Sequence, residues 1–151
     1  MVSASDLKIL PMQPEDISAV FELEIKTPSA WSRKQLEAEL EQPTGVQFVV
    51  RRTGSEIILA YLCGRLLADE AEILKINVAE FTRRKGIGSQ LLDYVLNFFK
   101  VKGAQNCFLE FRASNNAARK LYEKKGFTAS GKRKNYYDKP GEDAVLMQRR
   151  L

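Results

Sequence analysis

Apolar and polar positions in the first half of the chain follow two different periods, which predicts two helices and four strands. Pro14 and the acids after it are typical of a helix start, and Pro28 breaks the amphipathic pattern that follows. Ser32 is a favourable N-cap for a second helix. Because the connections between the later strands are short, we expect an antiparallel meander. The predicted strands span 7–10, 47–52, 57–67 and 72–78, and the helices run from 14 to 25 and from 33 to 41.

The second half of the chain predicts one parallel strand pair and a final hairpin. Apolar side chains recur every three to four residues from Gly86 to Lys102, so one face of this helix is expected to be buried. The strand 106–111 is reached through that helix and should run parallel to the strand ending at Val78. A helix capped by Ser114 or Asn115 then extends to Lys125, and strands 127–134 and 144–149 follow. The predicted fold is mixed α/β, with a central, mostly antiparallel sheet of about seven strands flanked by about four helices.

Length and composition are those of one globular domain. The chain has 151 residues, of which 44% are hydrophobic and 28% charged, and we expect a single domain over residues 1–151. It has no apolar run of the roughly 18 residues that a membrane helix requires, and its first residues lack the pattern of a secretory signal. We therefore expect a cytoplasmic protein with no membrane partner, and a monomer is favoured.

The absence of histidine excludes several kinds of active site. Without histidine the chain cannot form a Ser-His or Cys-His pair or a histidine-containing zinc site, and no metal is expected. Cys63 and Cys107 lie in separate apolar strands, which predicts buried, reduced thiols. The net charge of +5 arises from 24 basic and 19 acidic residues. This modest excess makes nucleic acid a conceivable partner but not a favoured one.

A basic turn with two glycines joins the strand ending at Val78 to the following helix. The first N–H groups of a helix lack intrahelical partners and carry the positive end of its dipole, so a phosphate is stabilised there. Gly86 and Gly88 let a ligand approach the backbone, and the run 83–85 adds positive charge. An ordinary solvated loop has the same pattern, and the turn alone does not separate the two interpretations.

Two nucleotide-binding motifs do not fit this turn. A Walker loop requires lysine followed by serine or threonine after its second glycine, and neither Gly86 nor Gly88 is followed in that way. A dinucleotide-binding G-x-G-x-x-G motif needs glycine where the chain has Leu91. Glu110 does stand at the distance of a ribose-binding acid, but a second nucleotide-binding half is missing. Both motifs are therefore set aside.

Several segments carry a resemblance to a known family. The run Arg83-x-x-Gly86-x-Gly88 resembles the [QR]-x-x-G-x-[GA] signature of the GNAT acetyltransferases, whose turn binds the pyrophosphate of acetyl-coenzyme A. The resemblance spans essentially the whole chain, is strong from 72 to 147, and departs where family members carry a proline, at Glu80. Segments similar to the RimI branch, the ribosomal-protein-alanine N-acetyltransferases, are 109–118, 121–127, 135–137 and 142–144.

The resemblance implies a place for each part of acetyl-coenzyme A, the expected cosubstrate. The backbone of Ile76, Asn77 and Val78 would face the pantetheine arm and the thioester, and Asn115 would contact the coenzyme. Glu110 matches the general base of the branch, and Tyr122 matches its general acid. The pyrophosphate would be held by Arg84, Lys85, Gly86, Ile87, Gly88 and Ser89.

These implied roles meet the requirements of acyl transfer to an amine. A protein α-amino group has a pKa of roughly 7.7–8.0, so Glu110 would need little driving force to remove its proton, directly or through water, whereas a lysine near about 10.4 demands more. A backbone N–H near Val78 could polarise the thioester carbonyl, and Tyr122 could protonate the thiolate. Structural alternatives stay open. Glu110 could be an edge-strand acid paired with Arg112 or a lysine, and Tyr122 a half-buried aromatic with its hydroxyl in solvent.

The acceptor is harder to predict. The segments 28–32, with the lone Trp31, and 135–137 match the borders of the branch's peptide site, although such aromatics could equally seal the domain edge. The run 132–134 is interpreted as a solvated basic strand end, with ribosomal RNA contact as the alternative. The resemblance implies acetylation of a protein N-terminus, such as the N-terminal alanine of a small-subunit ribosomal protein. Open alternatives are a small-molecule or lysine acetyltransferase, a non-catalytic coenzyme A-binding protein and a nucleic-acid module.

Overall fold

The computed structural model describes residues 3–151 and contains one seven-stranded sheet flanked by four α-helices. Met1 and Val2 lie outside the described residues. The strands are β1 (Leu7–Pro11), β2 (Gly45–Arg52), β3 (Ile58–Leu67), β4 (Glu70–Val78), β5 (Asn106–Arg112), β6 (Thr128–Tyr137) and β7 (Glu142–Arg150). The helices are α1 (Ile17–Glu24), α2 (Arg33–Leu40), α3 (Ile87–Val101) and α4 (Asn116–Lys124). Within residues 3–151, no helix is long and apolar enough to cross a membrane.

The first two helices begin where the sequence predicts. A single 3-10 turn, Pro14–Asp16, leads into α1, and Ser32 caps α2 through a capping box. Ser32 Oγ accepts from the Gln35 amide at 3.1 Å, and Gln35 Oε1 accepts from the Ser32 amide at 2.7 Å. The helix α1 already ends at Glu24, before Pro28, so residues 25–32 form a connecting loop.

The sheet has the predicted mixed topology. Its strand order is β1-β2-β3-β4-β5-β7-β6, and only β4 and β5 are parallel. The connection between these two strands runs through α3, as expected for a parallel pair. The strands β2, β3 and β4 form the predicted antiparallel meander, and β6 and β7 form the predicted hairpin. The first strand, β1, adds antiparallel to β2.

Apolar side chains pack on both faces of the sheet. On one face α3 and α4 cover the larger core, in which Leu91, Val95 and Phe99 of α3 are fully buried. On the other face α1 and α2 pack over the middle of the sheet, where Val20 and Leu36 meet Tyr61. Cys63 and Cys107 are both buried, and burial raises the pKa of each thiol to about 12. The predicted buried, reduced thiols are confirmed.

The parallel strands β4 and β5 separate partway along their length. Their pairing runs from Glu70 opposite Asn106 only as far as Ile73 opposite Leu109. A bulge in the β3–β4 register falls at the same level, where Leu74 has no partner of its own on β3. Beyond this point β4 stays on β3 and β5 stays on β7. A gap therefore opens between the carboxyl-terminal ends of two neighbouring strands.

Candidate active site

The main chain at the end of β4 borders this gap. The Ala79 amide donates to the Leu59 carbonyl at 2.8 Å. Because this bond joins the residues that flank Val78 and Ala60, these two opposite residues form a non-hydrogen-bonded pair. The N–H and C=O groups of Val78, and by alternation those of Ile76, point away from β3 toward the gap. Those of Asn77 point to β3. Of the three residues expected to present their backbone to the pantetheine arm, Ile76 and Val78 have main-chain groups that face the gap, whereas those of Asn77 are directed to β3.

Arg83 fastens the end of β4 instead of lying free at the rim of the turn. Its Nε donates to the Val78 carbonyl at 3.0 Å, and its Nη2 lies 3.4 Å from Asn77 Oδ1. Asn77 Nδ2 donates in turn to the Leu23 carbonyl at 3.1 Å, which ties the strand to α1. Val78 therefore offers its N–H to the gap, while its carbonyl already accepts a hydrogen bond.

Local hydrogen bonds order the link between β4 and the basic turn. Glu80, where the family pattern has proline, is exposed and begins the 3-10 turn Glu80–Thr82. Thr82 is buried and donates from Oγ1 to the Ala79 carbonyl at 3.3 Å. These contacts restrict the link without the fixed φ of a proline.

The turn before α3 presents main-chain donors beside exposed cationic side chains. Gly86 is the N-cap in the left-handed conformation (φ 79°), and Arg84 has φ 65°. The first helical bond runs from the Gln90 amide to the Gly86 carbonyl at 3.0 Å, so the amides of residues 87–89 precede the helical ladder. Arg84 and Lys85 are exposed beside them. This arrangement suits a polyanion such as a pyrophosphate.

Gly88 brings the start of α3 into contact with the end of β4. A Cβ at this position would lie 3.3 Å from Val78 Cγ2 and 3.8 Å from Leu121 Cδ2. The absence of a side chain therefore serves helix–strand packing. As a result, the amides of the turn and the gap-facing groups of Val78 lie next to each other.

Asn115 rather than Ser114 caps α4. Its Oδ1 accepts from the Ala118 amide at 3.1 Å. Its Nδ2 has no hydrogen-bond partner among residues 3–151, so both of its hydrogens are available to a ligand.

Tyr122 is buried between aromatic rings on the inner face of α4. It is 5% exposed and lies 5.7 Å, between ring centroids, from both Phe111 and Phe127. Burial raises the pKa of its hydroxyl well above the usual range, so the hydroxyl keeps its proton. The alternative of a half-buried tyrosine is wrong.

Glu110 lies on an interior strand, and its carboxylate meets two side chains of the edge strand β6. Its Oε2 is 3.2 Å from Arg133 Nε, with side-chain exposures of 28% and 56%. The Tyr136 hydroxyl donates a hydrogen bond to the same carboxylate, which is the main cause of a raised Tyr136 pKa. The alternative of an edge-strand acid paired with Arg112 or a lysine is therefore wrong.

Glu110 has a second acid, Glu72, as an electrostatic neighbour. Glu72 lies on the same face of the sheet; burial, and then the charge of Glu110, raise its pKa, while Arg65 and Arg133 oppose that shift. Burial and then Glu110 also raise the pKa of Tyr137 to about 12.

Comparison with known proteins decides the family. The description of the matching family model is Acetyltransferase (GNAT) family, and the match covers residues 17–127. The chain belongs to the GNAT acetyltransferase family. It is an acetyl-coenzyme A-dependent N-acetyltransferase, and the resemblance seen in its motifs is confirmed.

Two curated relatives and one solved structure resemble this GNAT protein over nearly its whole length. It is 30% identical over 142 residues to ribosomal protein bS18-alanine N-acetyltransferase of Escherichia coli (strain K12), covering 92% of this chain and 94% of that one. It is 36% identical over 139 residues, 90% of each chain, to a Bacillus subtilis (strain 168) protein to which the same name is provisionally given. The crystal structure of the ribosomal-protein-S18-alanine N-acetyltransferase from Escherichia coli matches with a TM-score of 0.88 at 28% identity, covering 96% of this chain and 94% of that one.

Arg133 is the side chain at this acetyltransferase site that sequence reasoning missed, since it was interpreted as part of a solvated strand end. It reaches Glu110 beside a bulge in β6. Arg133 pairs with Ala144 and Tyr137 pairs with Glu142, so β6 advances four residues where β7 advances only two. Such bulges redirect side chains. The available signal was Asn135, which takes φ 51° within the bulge and belongs to a residue type that tolerates this conformation.

Proposed function

We propose that this acetyltransferase acts on the N-terminal α-amino group of a protein, and that its acceptor is the N-terminal alanine of ribosomal protein bS18. The two curated relatives described above carry that activity in their names. The observation that supports the chemistry most directly is the gap between β4 and β5. Gap-facing main-chain groups line its β4 side, and Glu110 lies on β5, just past the last paired residue.

Acetyl-coenzyme A fits the β4 side of the gap and the turn before α3. In this proposal the turn 84–89 holds the pyrophosphate, the main-chain groups of Ile76 and Val78 hold the pantetheine arm, and Asn115 contacts the coenzyme through Nδ2. The Val78 N–H stabilises the negative charge that develops on the thioester oxygen. The hydrogen bond from Arg83 supports this role, because it occupies the Val78 carbonyl and leaves the Val78 N–H as the main-chain group available to a ligand.

Glu110 acts as the general base. The amine nitrogen bonds to the acetyl carbon, the carbon–sulfur bond breaks, and the proton lost by nitrogen passes to the Glu110 carboxylate, directly or through a water. Because the reference pKa of an α-amino group is roughly 7.7–8.0, a sizeable fraction of the acceptor is already neutral near pH 7.5. A carboxylate is therefore a sufficient base.

Tyr122 acts as the general acid and gives its hydroxyl proton to the departing sulfur. Its buried hydroxyl stays protonated because burial raises its pKa. Among residues 3–151 no acceptor bonds to this hydroxyl, so it is free to turn toward a ligand. No covalent intermediate with the protein is needed, which suits a chain without histidine.

An acetylation assay with matched acceptors tests the proposed function. The purified protein is incubated with acetyl-coenzyme A and a peptide that carries the bS18 N-terminus, the same peptide blocked at its α-amine but with lysine free, or a polyamine. Fragmentation mass spectrometry locates the acetyl group, and Glu110→Gln is the inactive control. We expect modification at the α-amine of the first peptide only. Turnover of the blocked peptide or the polyamine, with the free N-terminus unmodified, would overturn the proposal.

A further inference from the structure

The side chain of Arg112 connects two loops that approach the gap from opposite sides. One is the α1–α2 loop (residues 25–32), and the other is the β6–β7 loop (residues 138–141). Arg112 Nη2 donates to Ser29 Oγ in the first loop. In the second, Nη2 donates to the Asp138 carbonyl at 3.2 Å and Nη1 donates to the Pro140 carbonyl at 2.8 Å.

The α1–α2 loop is also anchored independently of Arg112, by a buried ionic cluster. Glu24 is fully buried and accepts hydrogen bonds from Tyr61 and Lys75 and, at 2.6 Å, from the Trp31 amide. Lys75 Nζ also donates to the Ser29 carbonyl at 3.0 Å. One end of the loop is thus tied to β3 and β4. Its contact with the β5 side passes through Arg112.

Arg112 is itself held rigidly at the end of β5. Its side chain is 9% exposed, its guanidinium lies 4.5 Å from the Tyr137 ring centroid, and Glu142 Oε2 is 3.3 Å from Nη1. Its Nε is buried without a partner among residues 3–151.

The position of Arg112 relative to Glu110 links this connection to the reaction. Residues two apart on a strand share a face and lie about 6–7 Å apart. Arg112 therefore joins the two loops directly beside the carboxylate that is proposed to receive the amine proton. Both loops are therefore held next to any acceptor that reaches Glu110.

We infer that Arg112 is a positioning residue that holds the two acceptor-side loops at a fixed separation beside Glu110. The inference rests on the proposed function only in taking these loops as the acceptor side. Fixing both loops in advance lowers the entropic cost of binding an extended chain end. An acceptor that is the end of a protein chain gains most in binding free energy from loops fixed in this way, because its amine must reach Glu110 in one orientation.

Arg112→Lys and Ser29→Ala test the connection from its two ends. Ser29→Gly is the third variant, because Ser29 has φ 58° and glycine removes the hydroxyl while accommodating that conformation. The matched control is Arg65→Lys, which weakens a part-buried Arg–Glu39 ion pair outside these loops. All variants are measured for the KM of the acceptor peptide, the KM of acetyl-coenzyme A, and amide hydrogen exchange.

We expect the peptide KM to rise about tenfold in both Ser29 variants, the ratio for losing one charge-assisted hydrogen bond, and by at least as much in Arg112→Lys, which also disturbs the contacts with the β6–β7 loop. The KM of acetyl-coenzyme A should stay within about twofold of wild type in these variants. The peptide KM of the double variant Arg112→Lys/Ser29→Ala should be no higher than that of Arg112→Lys, because both changes break the same Arg112–Ser29 contact. Arg65→Lys should lower thermal stability and leave the peptide KM unchanged.

Hydrogen exchange separates failure of this inference from failure of the proposed function, because it needs no acceptor. Segments 25–32 and 138–141 should exchange faster in Arg112→Lys, with α3 unchanged. If both segments exchange at the wild-type rate, or the KM values of peptide and coenzyme rise together, Arg112 is not a positioning residue. If Arg112→Lys fails to fold, the Ser29 variants decide the question by the same two measurements. A wild type inactive on every N-terminus would instead refute the proposed function.

Discussion

Glu110 Oε2 and Arg133 Nε lie 3.2 Å apart and join the interior strand β5 to the edge strand β6 across the hairpin. Both side chains are partly exposed, and exposed ion pairs of this kind contribute about 0–1 kcal/mol. An incoming amine can therefore replace the guanidinium at small cost.

We predict that Arg133→Ala is mild. Its free energy of unfolding, measured in urea, should fall by about 0–1 kcal/mol. Because the carboxylate remains, kcat should stay within about threefold of wild type. A loss of kcat as large as that of Glu110→Gln would mean that the guanidinium itself takes part in the reaction.

Glu110→Gln should lower kcat by about 10²–10⁴-fold, the usual contribution of a general base. Its affinity for coenzyme A, measured by isothermal titration calorimetry, should not change, because Glu110 lies away from the turn 84–89. The amide keeps the size of the side chain and removes its basicity. Unchanged turnover would show that another group accepts the proton.

Tyr122→Phe should lower kcat and change the response of stability to alkaline pH. Burial raises the folded-state pKa of Tyr122 above its unfolded value of about 10. The stability that this tyrosine contributes is therefore full below about pH 10 and is lost as pH rises above it, because the unfolded state ionises first. In urea titrations, wild type should lose stability relative to Tyr122→Phe as the pH rises above about 10, and the two proteins should show no such difference in trend below about pH 9.

The pH profile of kcat at alkaline pH also depends on Tyr122. Because Tyr122 keeps its proton, kcat of wild type should show no tyrosine-dependent decline up to about pH 9.5–10. Equal kcat values for wild type and Tyr122→Phe across this range would remove Tyr122 from the reaction. Tyr61 and Tyr137, whose pKa values are also raised by burial, are present in both proteins and cancel in the comparison.

Two glycines at opposite ends of α3 make a matched pair for testing the anion site. Gly86 and Gly103 have φ 79° and 99°, so Gly86→Ala and Gly103→Ala should each cost about 1–2 kcal/mol of folding free energy. Only Gly86→Ala should weaken coenzyme A binding, by about tenfold or more, because only Gly86 shapes the turn that precedes the free amides. Equal affinities for coenzyme A in the two variants would argue against a pyrophosphate at this turn.

The periodic pattern of apolar residues was sufficient to predict the sheet and its helices. The apolar runs of β3 and β4, the spacing of Leu91, Val95 and Phe99, and the helical crossover to β5 each depend on neighbours close in sequence. The parallel partner of β5 could be predicted because a crossover helix leaves few topologies.

The geometry of the site depended on contacts that sequence does not encode locally. The gap opens at Leu74, where β4 carries one residue more than its partner strand, and nothing in the pattern around that residue marks a bulge. Glu110 and Arg133 belong to strands that are not neighbours in the sheet. The bulge at the end of β6 brings Tyr136 to Glu110. Motif resemblance supplied the position of Glu110, but its partners required the structure.

The most direct test of the central claim is the N-terminal acetylation state of intact bS18 in cells that encode this protein. Intact-mass and fragmentation spectra would be recorded from cells lacking the gene, with and without a plasmid copy of wild type or Glu110→Gln. We predict that bS18 loses one acetyl group from its N-terminal alanine in the deletion strain and regains it only with wild type. Fully acetylated bS18 in the deletion strain would contradict the proposed function.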